Sequence, residues 1–216
     1  MLGKRHKTDV AILADAKKSL QRFIQLGEDS QPSAWHAANV DNVANWHQYN
    51  DDMMNRTDGD LRFEPAFKEI NRISEDDAIY SIDVGDVTQN AVRLLKVNGK
   101  QPWITSGLFA TMGVGLPGSI AAKLSYPNRQ VFNLAGDGAA AMVMQDLSTQ
   151  VAYHLPVINV VFSNDALGFI EDEQEDDTHE WFGISLPQTD FAKVAEGQGM
   201  TGITVDKVDQ MKPAFD

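Results

Sequence analysis

Four residues at two turns are of types that commonly bind a metal ion and a phosphate. Gly136, Asp137 and Gly138 follow an apolar run, and Asn164 follows the next one. Glycines let the backbone approach a phosphate, and the carboxylate of Asp137 and the amide oxygen of Asn164 are hard ligands that suit Mg²⁺. Gly-Asp-Gly also occurs in ordinary turns, so the motif depends on its structural context.

That context is a predicted strand, glycine turn, helix and second strand. Residues 130–135 and 157–163 are short apolar runs of the kind buried in parallel sheets, and each ends in polar residues. Between them, residues 139–153 lack Gly and Pro and space their apolar side chains as a helix does. Ligands of open α/β sheets bind at the carboxyl ends of strands, where Asp137 and Asn164 both lie. The first N–H groups of the helix would point at a bound phosphate.

The rest of the carboxyl-terminal stretch continues this alternation, which predicts an α/β fold with a doubly wound, mostly parallel sheet. A turn at Gly85 and Asp86 and a glycine-rich segment at residues 107–118 each lead into a predicted helix. The predicted strands cover residues 78–84, 103–105 and 202–205. The predicted helices cover residues 65–72, 88–95, the segment that ends at 123, 168–172 and 191–196.

Two earlier stretches lie outside this pattern. Residues 8–25 have an amphipathic spacing that is interrupted near Asp15 and Ala16, which predicts a short strand entering a helix. Residues 31–55 place apolar and aromatic side chains at helical spacing and predict a linking helix. The chain is therefore divided into residues 1–26, 27–56 and 57–216.

Composition restricts the class of protein. The chain has 216 residues, of which 43% are hydrophobic, enough for one α/β domain with an appendage. Its lack of cysteine excludes disulfides and zinc-thiolate sites. No apolar run has the length of a membrane span, and the amino terminus does not resemble a signal peptide. We therefore expect a cytoplasmic protein with no membrane partner.

The net charge of −13 opposes broad nucleic-acid binding, because phosphates would meet a repelling field. An anionic cofactor would therefore depend on helix N-termini and a metal ion. Residues 171–180 are the most acidic part of the chain. They lack the glycine and ligand spacing of a calcium-binding loop, and they predict a solvated or lid-like loop.

With its Gly-Asp-Gly turn and Asn164 on successive strands, the chain resembles the thiamine diphosphate enzymes. Residues 108–118, 145–147 and 169–176 are similar to segments of the pyruvate oxidase branch, whose members contain FAD and use phosphate. The resemblance covers essentially the whole chain. It implies the thiamine diphosphate-binding fold for residues 57–216, preceded by a linking helix and the remnant of a flavin-binding domain.

The resemblance implies a role for several residues at the turns. Asp137 and Asn164 would ligate Mg²⁺ through their side chains, and Ala166 would add its carbonyl oxygen. Two positions depart from the family pattern: Asp165 stands where a second asparagine is common, and Ala139 where a glycine is common. Backbone groups would hold the diphosphate around Gly85, Asp86, Gly138 and Ala139.

Other residues would contact the organic parts of the cofactors. Met112 would lie beneath thiamine diphosphate and force its bent conformation, while Ala110 O and Met112 N would bond the pyrimidine edge. Without the resemblance, Met112 is better explained as a flexible filler of the core. Asp15 and Ala16 would touch the adenine of FAD, although a turn or a helix start explains Asp15 equally well.

Four side chains would line the reaction cavity according to the resemblance: Val84, Phe169, Ile170 and Glu173. The three apolar ones are otherwise typical of core packing. Glu173 lies in a charged run whose carboxylates are otherwise expected to be solvated. These assignments therefore depend on the resemblance.

The resemblance also implies an activity and its limits. A pyruvate oxidase converts pyruvate, phosphate and O₂ to acetyl phosphate, CO₂ and H₂O₂, and it is a dimer-based homo-oligomer that is tetrameric when intact. It uses a glutamate from an amino-terminal pyrimidine-binding domain, which no stretch of this chain resembles. We therefore expect a fragment that holds the diphosphate half-site without turnover alone. The alternatives are an acetolactate synthase-like enzyme, a 2-oxo acid decarboxylase or a non-catalytic cofactor-binding module.

Overall fold

A computed structural model describes residues 2–28, 31–177 and 180–216. The chain divides into two compact units, Met1–Trp46 and His47–Asp216. The carboxyl-terminal unit contains the β-sheet. No helix among the described residues is long and apolar enough to cross a membrane.

The amino-terminal unit contains α1 (Ala16–Leu26) and the first part of α2 (Ala34–Met54), which lies within the stretch predicted as a linking helix. Asp15 caps α1, because its carboxylate accepts a hydrogen bond from Lys18 N at 3.0 Å. The strand predicted before α1 is wrong, since residues 8–14 form coil and bends. A strand requires a hydrogen-bonded neighbour, and none of the described residues pairs with this stretch.

The carboxyl-terminal unit is built on a parallel sheet with the strand order β2-β1-β3-β4. The strands are β1 (Ile79–Ile82), β2 (Trp103–Ile104), β3 (Val131–Gly136) and β4 (Ile158–Phe162). All four lie within or closely match predicted strands. Because the chain passes from β2 back across β1 to β3, the strand order reverses between β1 and β3. Open α/β sheets bind ligands at the carboxyl edge of such a switch point.

Helices alternate with these strands along the chain. They are α3 (Phe63–Ile73), α4 (Asp86–Leu94), α5 (Gly115–Ser125), α6 (Asp137–Val143), α7 (Leu147–Ala152), α8 (Gly168–Asp176), α9 (Phe191–Gly197) and α10 (Val208–Phe215). The helix predicted over residues 139–153 is instead two helices, separated by a 3-10 turn at Met144–Asp146. Val143 begins this break, because its φ of −135° and ψ of 8° are not helical.

Two further predictions are wrong. The acidic loop is largely helical, because α8 continues through Asp176; Glu and Gln are good helix formers. Of that predicted loop, residues 178 and 179 lie outside the described residues. The strand predicted over residues 202–205 is coil with no pairing among the described residues. Its first residue, Gly202, instead lies so close to Ala192 that a Cβ atom would be 2.2 Å from Ala192 O.

Alternate strand side chains pack on opposite faces of the sheet, as the doubly wound prediction requires. On one face, Tyr80 and Phe132 stack with ring centroids 5.4 Å apart and share a buried cluster with Phe67 of α3. On the other face, Val131 packs in a second cluster with Ala122 of α5. Both faces are therefore covered by helices, and the α/β fold class is confirmed.

Candidate functional site

The turns that follow β1, β3 and β4 lie at the carboxyl edge of the sheet. They border a cleft of about 1630 Å³ that also extends along β4. Every site residue predicted in the carboxyl-terminal unit lines this cleft. These residues are Val84, Gly85, Asp86, Ala110, Met112, Gly136, Asp137, Gly138, Ala139, Asn164, Ala166, Phe169, Ile170 and Glu173. The two predicted flavin contacts, Asp15 and Ala16, belong to the amino-terminal unit.

Asp137 is the first residue of α6 and is 6% exposed. Its Oδ2 accepts hydrogen bonds from Asp165 N at 2.7 Å and from Asn164 N at 3.1 Å. Its Oδ1 accepts one from Gly138 N at 2.7 Å. The carboxylate thus ties the end of β3 to the turn after β4. Because a carboxylate oxygen has two lone pairs, Oδ1 can accept a further ligand.

The turn after β4 adds neutral oxygen atoms that could bind a metal ion at the same edge. Asn164 is exposed, and its Oδ1 accepts a long hydrogen bond of 3.4 Å from Ala166 N. Asp165 between them has a φ of 56°, a left-handed conformation that aspartate tolerates better than most residues. Asp137, Asn164 and Ala166 together provide carboxylate, amide and carbonyl oxygens. This oxygen-only set fits the ligand preference of Mg²⁺.

Gly85 ends the turn after β1 and precedes α4. Its φ of 139° and ψ of −161° lie in a region that only glycine occupies readily. A Cβ atom there would meet nothing within 4 Å, so the backbone conformation rather than space requires glycine. Gly85 O accepts a hydrogen bond from Thr88 N at 2.8 Å at the start of α4. The turn therefore presents the amino-terminal end of α4 at the cleft, where N–H groups favour an anion.

Asp86, the first residue of α4, lies against the start of α8. A Cβ atom on Gly168 would lie 2.1 Å from Asp86 Oδ2 and 3.1 Å from Asn164 Nδ2, so glycine leaves room for both side chains. Burial raises the pKa of the Asp86 carboxyl, and the negative charges of Asp172 and Glu171 raise it further. A bound cation would offset this concentration of acidic groups.

Met112 lines the cleft and its side chain lies against the Gly-Asp-Gly turn. Its Cε lies 3.2 Å from the position that a Cβ atom on Gly138 would occupy. Two residues before it, Ala110 has a φ of 50°, which is strained for alanine. Ala110 N donates to Ser106 O at 3.0 Å, and Thr111 N donates to Ser106 Oγ at 3.0 Å. These bonds hold the strained segment beside the cleft.

The predicted cavity side chains are not members of the hydrophobic core. Phe169 is 38% exposed and Ile170 is 43% exposed, both on the first turn of α8. Val84 is half-buried, and Glu173 is exposed on the same helix as Phe169. What the four residues share is that they all line the same cleft.

Asp83 is a site residue that the sequence interpretation missed. It directly follows β1, is fully buried and lines the same cleft. Its carboxylate accepts hydrogen bonds from Gly113 N and Gly115 N, on either side of the entry to α5. The available signal was an aspartate immediately after a buried strand and before the Gly85 turn.

Comparisons with known proteins point to one family. Residues 83–216 match the family described as thiamine pyrophosphate enzyme, C-terminal TPP binding domain; thiamine pyrophosphate is another name for thiamine diphosphate. The chain is 52% identical over 216 residues to the pyruvate oxidase of Lactiplantibacillus plantarum, covering 100% of this chain and 36% of that protein. It is 36% identical over 216 residues to the YdaP protein of Bacillus subtilis, covering 99% and 37%. The acetolactate synthase large subunit of Parasynechococcus marenigrum is 30% identical over 209 residues, covering 94% and 33%.

A solved structure shares the fold. The chain superposes on the thiamine diphosphate-dependent 4-hydroxybenzoylformate decarboxylase of Rhodococcus jostii RHA1 with a TM-score of 0.67 and 26% identity, over 74% of this chain and 30% of that one. The chain spans about a third of the length of these curated relatives, 33% to 37%. Since the family match begins at Asp83 and covers the turns after β1, β3 and β4, this chain belongs to the thiamine pyrophosphate enzymes.

Proposed function

We propose that this chain supplies the Mg²⁺ and diphosphate side of the active site of a pyruvate oxidase. The observation that carries the proposal is the placement of Asp137, whose carboxylate joins the turns after β3 and β4 at the cleft. The 52% identity to a pyruvate oxidase supports this enzyme over other members of the family. The proposed overall reaction takes pyruvate, phosphate and O₂ to acetyl phosphate, CO₂ and H₂O₂.

In this proposal, Asp137, Asn164 and Ala166 hold Mg²⁺ through oxygen atoms. The ion offsets the negative charge of the diphosphate, which matters because the chain has a net charge of −13. Backbone N–H groups at two helix starts assist, because helix N-termini stabilise phosphates. The diphosphate contacts are assigned to Gly85, Asp86, Gly136, Gly138 and Ala139.

The remaining cleft residues orient the thiamine part and the substrate. When bound, thiamine diphosphate would supply a nucleophilic carbon for attack on pyruvate, and FAD would accept the electrons. Met112, which lies beside Gly138, would support the cofactor, and Ala110 O and Met112 N would bond its pyrimidine edge. In the assembled enzyme, the apolar members of these cleft residues would help to exclude water from the reacting atoms. The substrate cavity is assigned to Val84, Phe169, Ile170 and Glu173.

The proposed enzyme is an assembly of several subunits. Leu108 and Phe109 precede the Met112 segment and are 95% and 86% exposed. Large apolar side chains this exposed are typical of interaction surfaces. We propose that they face protein in a dimer-based homo-oligomer, tetrameric in the intact cytoplasmic enzyme. FAD would be bound mostly outside this chain, with Asp15 and Ala16 contributing to its adenine site.

An acetolactate synthase-like reaction is the second candidate, because that enzyme class is also represented among the relatives. The acetolactate synthases compared span 27% to 30% identity, below the value for pyruvate oxidase. The two reactions begin with pyruvate and differ in the acceptor of the two-carbon unit. Product analysis therefore separates them directly.

We expect the chain to support oxidase turnover when it replaces the corresponding segment of the Lactiplantibacillus plantarum pyruvate oxidase. The chimera should contain flavin and form acetyl phosphate and H₂O₂ only with both pyruvate and phosphate. The 216-residue chain alone should form neither product. A chimera carrying Asp137→Ala is the inactive control.

Two results would contradict the proposal. One is a folded, flavin-containing chimera that makes acetolactate or makes no product. The other is peroxide formation by the isolated chain, since this would show that the chain contains a complete active site.

A further inference from the structure

Asp83 is fully buried, and among the described residues its carboxylate accepts hydrogen bonds from three backbone N–H groups. Oδ1 accepts hydrogen bonds from Val84 N and Gly113 N, both at 2.8 Å. Oδ2 accepts one from Gly115 N at 2.7 Å. Bonds from N–H groups to a charged acceptor are among the stronger hydrogen bonds in proteins, so this contact is a firm link between two segments.

One of these segments is fixed by the sheet. Asp83 N donates to Leu134 O of β3 at 2.8 Å, and Asp83 O accepts a hydrogen bond from Thr88 Oγ1 of α4 at 2.6 Å. Backbone groups on both sides of the side chain are therefore anchored. The carboxylate has little freedom to follow a movement of its partners.

The other segment is the entry to α5. Val114 is the N-cap of α5 and makes no side-chain capping bond. Asp83 replaces that cap from a different element, because its Oδ2 accepts from Gly115, the first residue of the helix. It also accepts from Gly113, whose φ of 83° marks a tight turn directly after Met112.

The position of Met112 therefore depends on Asp83. Met112 is bonded to Gly113 in the chain, and its Cε reaches the surface of Gly138. A shift at Gly113 would move the methionine relative to the Gly-Asp-Gly turn.

The groups around Asp137 are held separately, by hydrogen bonds to the turn after β4. The Gly85 turn is held by backbone atoms, because Gly85 O accepts from Thr88 N and Asp83 O accepts from Thr88 Oγ1, and these bonds do not involve the Asp83 carboxylate.

We propose that Asp83 is a positioning residue: it clamps residues 113–115 to the sheet and so sets the position of Met112 beside Gly138, where Met112 would support the thiamine part of the cofactor. This inference rests on the proposed function. Its distinctive consequence is selectivity. Loss of the clamp weakens binding of the thiamine part and leaves the diphosphate site in place.

Asp83→Asn tests this selectivity in the 216-residue chain. The substitution keeps the shape but turns one acceptor oxygen into an NH₂ group, which then faces a backbone N–H. With saturating Mg²⁺, calorimetry should show thiamine diphosphate affinity about 10-fold lower, consistent with an unsatisfied buried donor. Affinity for inorganic pyrophosphate should stay within about twofold of wild type. Asp76→Asn, at an exposed aspartate before β1, is the matched control and should alter neither affinity.

Met112→Ala provides a second test that does not disturb the buried carboxylate. It should reproduce the selective loss of thiamine diphosphate affinity. In the wild-type chain, amide exchange at Gly113 and Gly115 should be slow, because both N–H groups are bound to Asp83. These two measurements decide the proposal if Asp83→Asn does not fold.

Several outcomes would overturn the inference. Equal losses for both ligands would show a general structural role, and no loss for either would show that the clamp does not position the cofactor. Unchanged thiamine diphosphate affinity in Met112→Ala, or fast exchange at Gly113 and Gly115, would also overturn it. If the wild-type chain binds neither ligand, the proposed function itself fails, and the inference fails with it.

Discussion

Asp137→Ala is expected to abolish the binding of thiamine diphosphate in the presence of Mg²⁺. The substitution removes the carboxylate proposed to bind the ion, together with the acceptor for Asn164 N and Asp165 N. Removing a residue that only hydrogen-bonds to a metal ligand already lowers metal affinity roughly 10- to 100-fold. Removing the ligand Asp137 itself should therefore lower cofactor affinity by more than about 100-fold. Titration calorimetry with saturating Mg²⁺ measures it.

Asp137→Asn separates the two roles of this carboxylate. Its remaining amide oxygen can still accept a hydrogen bond from the turn after β4, but the side chain has lost the charge that attracts the cation. We expect its folding stability to be closer to wild type than that of Asp137→Ala, with cofactor affinity still strongly reduced. Wild-type affinity in either variant would contradict the assignment of Asp137.

Gly115→Ala is expected to destabilise the carboxyl-terminal unit by about 3 kcal/mol, in the range for overpacking combined with disturbed buried hydrogen bonds. A Cβ atom on Gly115 would lie 2.5 Å from Asn133 Oδ1 and 2.9 Å from Asp83 Oδ2. Neither atom can withdraw easily, because Asn133 donates to Asn159 Oδ1 at 3.0 Å within the sheet and Asp83 is anchored to β3. Denaturant unfolding monitored by circular dichroism measures the change.

Gly197→Ala is the matched control. Gly197 is the last residue of α9, it is exposed, and a Cβ atom there would meet nothing within 4 Å. Alanine is the better helix former and restricts the unfolded chain, so stability should rise by about 0.5 kcal/mol. If Gly115→Ala and Gly197→Ala changed the free energy of unfolding equally, this would contradict the close packing of α5 against the sheet.

The sequence predicts the parts of the molecule whose determinants are local. The runs that become β1, β3 and β4 are short and apolar, and parallel pairing then brings the ends of all three strands to one edge. This is why Asp137 and Asn164 could be placed at a common site from the sequence, whereas the role of Gly85 was implied by the resemblance. The resemblance added Met112, which is otherwise better explained as a filler of the core, and Ala110, for which spacing alone predicts no role.

The errors arise where tertiary contacts decide the local structure. The apolar pattern of residues 202–205 is compatible with a strand, but Gly202 packs against the backbone of Ala192 and the segment remains coil. The role of Asp83 depends on contacts with Gly113 and Gly115, which are distant in sequence. Sequence periodicity contains no information about such contacts.

The dependence of thiamine diphosphate binding on Mg²⁺ tests the central claim most directly. The wild-type 216-residue chain should be titrated with the cofactor once with Mg²⁺ and once with a chelator. The proposal predicts saturable binding at one site per chain with Mg²⁺ and at least about 100-fold weaker binding without it. No binding with Mg²⁺, or equal binding under both conditions, would contradict a metal-dependent diphosphate site formed by Asp137, Asn164 and Ala166.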